Sequence, residues 1–286
     1  MRQLDDVQRE QKAMTTLVGL TSVFEGIASM RIAGIKNQVL QATQFFHELW
    51  SIYSQLRVDS TFRFGRSQEG AQVIDKDLYI VITGAGGFSG DIDIKLIESV
   101  LKTYDPAKQD IIVIGHHGAV QLAQRGIGYK KFFKLPVQDQ NINVTPIIQE
   151  VQSYRSTTVF YQEYVSLLVQ EVRSIALQAV VQHVSQTAVA DKDEIISEAN
   201  YIFEPSTYAV IDHLERSMLH IAMSQLILDS KLAQYASRFR AMSASHEKAS
   251  ETRDDLKMLY NRTKRAIKDE RLKEVVNGTR HKELVK

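Results

Sequence analysis

Apolar residues recur at helical spacing over both ends of the chain and at strand spacing only in its middle. From Thr207 to Asn277 the stripe reads Ile211, Leu214, Met218, Ile221, Ala222, then Leu232, Ala236, Phe239, then Leu256, Leu259, Tyr260 and Ile267, with neither Pro nor Gly to interrupt it. As one helix this stretch is roughly 100 Å long, and so long an amphipathic helix needs a partner for its apolar side. Residues 5–57 offer one. They also lack Pro and carry Leu17, Leu20, Phe24, Ile27, Ile32, Ile35, Val39, Phe46, Leu49, Trp50, Tyr53 and Leu56 along a helical stripe. Gly19, Gly26 and Gly34 here, with Ala222, Ser230, Ala233, Ala236, Ser237 and Ala241 on the other segment, predict close approach of two backbones. The heptads are irregular, so the expectation is an irregular antiparallel two-helix coil rather than a zipper.

All four prolines, at 106, 136, 146 and 205, fall between these ends, where the period changes. Leu78–Thr83 and Asp110–Gly115 are short β-branched runs closing on glycine, as buried parallel strands read. Asp91–Tyr104 has a helical apolar face, which gives strand, helix, strand. Further elements are expected as a helix at His117–Arg125, a strand at Tyr129–Leu135, a helix at Thr145–Gln170 and a strand at Ser174–Ser185. The fold class is therefore α/β: two long terminal helices as an antiparallel coiled coil plus a central Rossmann-like domain. The expected division is 1–60, 61–205 and 206–286.

The composition narrows the chemistry. The 286 residues include no Cys, which removes disulfides, thiolate metal sites and a cysteine nucleophile. Ionisable residues nearly cancel at a net +1, which gives no global attraction to nucleic acid. No signal or transit peptide is visible ahead of the first helix, and no apolar run approaches the ~20 residues of a membrane span, so the chain is expected neither to cross nor to enter a bilayer by itself. The charge is uneven, however. Lys257–Lys286 holds ten Lys and Arg against four acids, so this end suits an acidic partner.

Each possible active site is weaker than its structural explanation. Gly84, Gly86, Gly87 and Gly90 follow a strand and precede a helix, where dinucleotide folds hold a pyrophosphate. The G-x-G-x-x-G spacing fails at Ser89, so a tight turn is the better reading. His116 and His117 read as surface histidines, and Asp91 with Asp93 as helix-capping acids. Neither a catalytic residue, a cofactor nor a metal is expected.

Residues 238–278 resemble the C-terminal end of the gamma subunit of F-type ATP synthases, which reads approximately A-R-M-x-A-M-x-x-A-T-x-N-A, then L-x-x-x-Y-N-[RK]-x-R-Q-A-x-I-T-x-E-[IL]-x-E-I-x-x-G. Arg238, Ala241, Met242, Ala244, Ala249, Leu256, Tyr260, Asn261, Ala266, Leu272, Glu274 and Gly278 match in register. YIFEP at 201–205, VITGAGGFSGDID at 81–93 and DIIVIGHHGAVQLAQRG at 110–126 are similar to further segments of that family, in the same order. The chain departs from it in losing several N-terminal cations and in placing Asp269 where the family has threonine. It looks like a divergent bacterial type.

The resemblance implies a non-catalytic central-stalk rotor that couples ion flow through a membrane ring to ATP synthesis or hydrolysis in a hexamer of alpha and beta subunits. Its implied partners are that hexamer, an epsilon-type small stalk subunit and the c-ring, with no nucleic acid. Its implied place is the cytoplasmic face of the cell membrane, as a peripheral part of the complex. Lys264, Arg265, Asp269, Tyr260 and Asn261 fall where the family contacts the hexamer through a polar catch, and Tyr201 and Glu204 where its foot meets the ring. Two other readings stay open from the residues alone: a dinucleotide- or phosphate-binding enzyme with helical oligomerisation arms, and a coiled-coil scaffold with no rotary role.

Overall fold

A computed structural model describes residues 4–55, 74–139, 142–177 and 202–284. Helix α1 spans Leu4–Gln55. Then come β1 (Ile74–Ile82), α2 (Ile92–Leu101), β2 (Gln109–Ile114), α3 (His116–Gln124), β3 (Lys131–Phe133), α4 (Thr145–Gln152), β4 (Tyr154–Tyr164) and β5 (Gln170–Ala176). Helix α5, Thr207–Leu284, ends the described chain and is 78 residues long. Its first turn is capped by Ser206, whose Oγ accepts from the Ala209 N–H at 3.2 Å.

The five strands form one sheet in the order β3-β2-β1-β4-β5. β1 is parallel to β2 and to β4, β2 is parallel to β3, and β5 returns antiparallel to β4. The chain thus builds outward from β1 through β2 and β3, then crosses to the other side of β1. Alternation along the strands gives the sheet two apolar faces. Leu78, Ile80 and Ile82 point toward α4 and α5, meeting Ile147, Ile148, Met223 and Ile227, with Phe46 of α1 in the same cluster. Tyr79 and Val81 point the opposite way, toward Leu96, Ile97 and Val100 of α2 and Leu122 of α3.

The described chain divides into two compact units, residues 28–238 and residues 1–27 with 239–286. In the larger unit the terminal helices run antiparallel beside the sheet. Gln225 Nε2 donates to Thr43 Oγ at 3.1 Å, and Tyr53 donates to Glu215 at 3.1 Å, so numbers rise on α1 as they fall on α5. In the smaller unit Val7, Thr21, Met242, Ala249 and Leu256 are buried. His246 Nδ1 lies 3.2 Å from the Val18 carbonyl, which can only accept, so this nitrogen carries a proton.

Three local expectations are corrected. Thr145–Gln170 is not one helix: α4 stops at Gln152, and β4 begins at Tyr154. The β-branched and aromatic run Tyr154–Phe160 wins over a coincidental helical spacing of Val151, Val159 and Tyr164, with no Gly or Pro to mark the change. The last strand starts at Gln170 rather than Ser174, and residues 178–185 lie outside the described residues. Gly19, Gly26 and Gly34 do not permit close backbone approach, because a Cβ built at each meets nothing within 4 Å.

Candidate functional site

The glycine turn after β1 is organised around an acid. Asp93, in the first turn of α2 and only 4% exposed, accepts from the Gly84 N–H at 3.2 Å and from Gln162 Nε2 of β4 at 2.8 Å. His117 Nδ1, at the start of α3, is 2.9 Å from its second oxygen. The Asp93 carboxylate therefore already occupies the Gly84 amide at the end of the strand. That is the place a phosphate takes in a dinucleotide fold. The turn is a self-contained structural knot: it binds its own side chain.

Thr83 completes the knot. Its hydroxyl accepts from the Gly118 N–H at 2.9 Å, and a Cβ at Gly115 would sit 2.1 Å from the Thr83 carbonyl oxygen. Gly115 also has φ +102°, which a side chain disfavours. Gly115 and Gly118 thus serve close packing of β1 against the β2–α3 turn. The histidine reading needs correction, since His117 is paired with a buried carboxylate rather than free at the surface. Asp93 binds backbone as a capping acid would, but the amide is that of Gly84 and not of its own helix.

The implied hexamer contacts lie on α5 well away from the sheet in sequence. Asn261, Lys264, Arg265 and Asp269 are exposed, and Tyr260 is half-buried with the Lys264 ammonium 5.7 Å from its ring centre. Separations of three and four place Asn261, Lys264, Arg265 and Asp269 on one side of the helix. Beyond them Leu272, Val275 and Val276 are exposed apolar residues. Glu204 is exposed just ahead of α5, and Tyr201 lies outside the described residues.

Two features of the molecule escaped the sequence reading. Leu17, Leu20, Val23 and Ile27 are at least 40% exposed, so much of the apolar stripe of α1 is uncovered. Helix α1 also contains an 18-residue stretch long and apolar enough, by length and composition, to cross a membrane. Counting uninterrupted apolar runs passes over it. The second feature is a perturbed acid: burial, with Glu163 nearby, pushes the Asp229 carboxyl up to about 7, and burial pushes Tyr161 up to about 12. Neither shows as a pattern, because both depend on β4 lying over α5. Among the described residues no group of three or more His, Cys, Asp or Glu could hold a metal ion.

The fold has close counterparts. The rotor of the Euglena gracilis mitochondrial ATP synthase superposes with a TM-score of 0.59 at 15% identity, over 92% of this chain and 99% of the other. A chain of its OSCP/F1/c-ring assembly gives a TM-score of 0.63 at 13% identity, over 96% and 94%. In sequence, the ATP synthase gamma chain of Chlorobium phaeobacteroides (strain BS1) is 25% identical over 97% of this chain and 98% of its own length. That of Macrococcus caseolyticus (strain JCSC5402) is 28% identical over 72% and 73%. The sequence profile described as ATP synthase matches residues 3–280, nearly the whole chain. This chain therefore belongs to the ATP synthase gamma-chain family.

Proposed function

We propose that this chain is the turning shaft of an F-type ATP synthase, a non-catalytic subunit that couples ion translocation through a c-ring to ATP synthesis or hydrolysis in an alpha/beta hexamer. It works at the cytoplasmic face of the cell membrane as a peripheral member of that complex, with an epsilon-type subunit beside it. The observation that most supports this is the match over residues 3–280, which includes both terminal helices and the sheet between them. Residues 1–60 and 206–286 are the shaft helices in this reading, and 61–205 the body.

The mechanism needs no bond chemistry. A shaft biases a ring of binding sites only by the difference in its contact energy with their alternative states. Asn261, Lys264, Arg265 and Asp269, exposed on one side of α5 and joined by Tyr260, form the polar catch on the hexamer. The uncovered apolar face at Leu17, Leu20 and Val23 meets it elsewhere. Tyr201 and Glu204 belong to the foot on the ring.

The test is Lys264→Ala with Arg265→Ala in the assembled complex. Both side chains are exposed, so the isolated chain keeps its stability while ATP-driven ion pumping and hydrolysis change. Unchanged values of both would remove the catch. The competing dinucleotide reading is checked by calorimetry, where the occupied Gly84 amide predicts no ADP or NADH binding.

A further inference from the structure

Helix α5 is buried on nearly every side between Leu226 and Ser237, and four polar residues there, Ser230, Lys231, Gln234 and Ser237, are bonded to separate parts of the α/β body. Lys231, 2% exposed, donates to the Pro136 carbonyl at 2.8 Å and pairs with Asp139, on the segment between β3 and α4. The other Asp139 oxygen accepts from Arg31 of α1 at 3.3 Å. Ser230 and Gln234 donate to the same oxygen of Gln162 on β4, whose amide nitrogen holds Asp93. Ser237 donates to the Ser89 carbonyl in the glycine turn at 2.7 Å.

At about 100° per residue these groups cover an arc of roughly 120° around the helix. Leu228 and Leu232 cover the opposite side against Ile35 of α1. The distinction between the two sides is physical. Apolar contact is non-directional and survives small rotations and slides, whereas a hydrogen bond weakens steeply with angle. A buried ammonium separated from its carboxylate is costlier still. Turning or sliding α5 inside this collar would break the polar contacts together.

The geometry points to a torque joint: the Lys231–Asp139–Arg31 ion triad and the Gln162–Ser230–Gln234 cluster lock α5 against rotation within the α/β body, so that load on the helix reaches the sheet without slip. This rests on the shaft reading above and adds the place where the load is transferred.

The experiment uses the assembled ATP synthase in membrane vesicles, with Lys231→Met combined with Asp139→Leu so that no buried charge is orphaned and only the exposed Arg31 loses its partner, and Gln234→Leu as a milder second variant. Rotor stiffness is read from angular fluctuations of a probe on the c-ring with the hexamer stalled, and coupling from ions pumped per ATP hydrolysed. The expected result is incorporation with hydrolysis near the unaltered rate, a severalfold loss of stiffness and lower pumping per ATP, with Lys231→Arg close to normal. A purely structural role would lower the thermal midpoint and leave stiffness alone. Unchanged stiffness in an incorporated variant overturns the joint, and if the double variant does not assemble, Gln234→Leu decides by the same readout. An unaltered chain that fails to enter the complex or to support pumping counts instead against the shaft reading.

Discussion

Asp93 and His117 are 24 positions apart in the chain, yet the His117 ring nitrogen lies 2.9 Å from the Asp93 carboxylate at the end of the central strand. The acid is buried and also holds the Gly84 amide and the Gln162 side chain. Asp93→Leu leaves those two donors without an acceptor and costs roughly 2–4 kcal/mol. Asp93→Asn keeps an acceptor oxygen and costs less. Urea denaturation of the isolated chain measures both, and equal losses in the two variants would show that the acceptor is not what matters.

Glycines on different elements respond in opposite directions. Gly115→Ala meets the Thr83 carbonyl at 2.1 Å from a backbone at φ +102°, and loses roughly 3–5 kcal/mol. Gly19→Ala and Gly26→Ala point into open space on α1 and each gain up to ~1 kcal/mol through helix propensity. Thermal melts followed by circular dichroism separate the two signs. A destabilised Gly26→Ala would place that residue against a neighbour.

Asp229 makes stability depend on pH. Its native pKa of about 7 exceeds the ordinary 3.8, so the folded chain binds more protons than the unfolded chain between those values. Stability from this group is present below about pH 4 and is lost as pH rises to about 7, up to roughly 4 kcal/mol in all. Asp229→Asn is therefore more stable than the parent at pH 8, with a flatter profile from pH 4 to 7. A parent profile that rises through this window, or an Asn variant with the same slope, contradicts the assignment.

Local periodicity was enough to place the two terminal helices, β1, β2 and the helices α2 and α3. Those elements are set by side chains a few positions apart, and breakers and β-branched runs mark their ends. The C-terminal register from Arg238 to Gly278 was likewise legible, since it is a linear pattern. The boundary between α4 and β4 was not, because the helical spacing of Val151, Val159 and Tyr164 runs across Ser153, and it takes pairing with β1 at Ile74 and Asp77 for the β-branched run to prevail. The α1 glycines show the same limit: spacing places a residue on a helix but does not say which side is covered.

What the sequence determined alone was which segments are helical or extended and which family pattern they follow, because both are written in short-range order. The partners of Asp93, Lys231, Asp139 and Asp229 were decided by the tertiary structure. Those of Asp93 and Asp229 depend in part on β4 crossing to the far side of β1 with Gln162 and Glu163, and those of Lys231 and Asp139 on the segment between β3 and α4 meeting α5 and α1. A carboxylate, amide or ammonium carries no signal of its distant partner, and its burial is a property of the packed sheet and helices rather than of its neighbours in the chain.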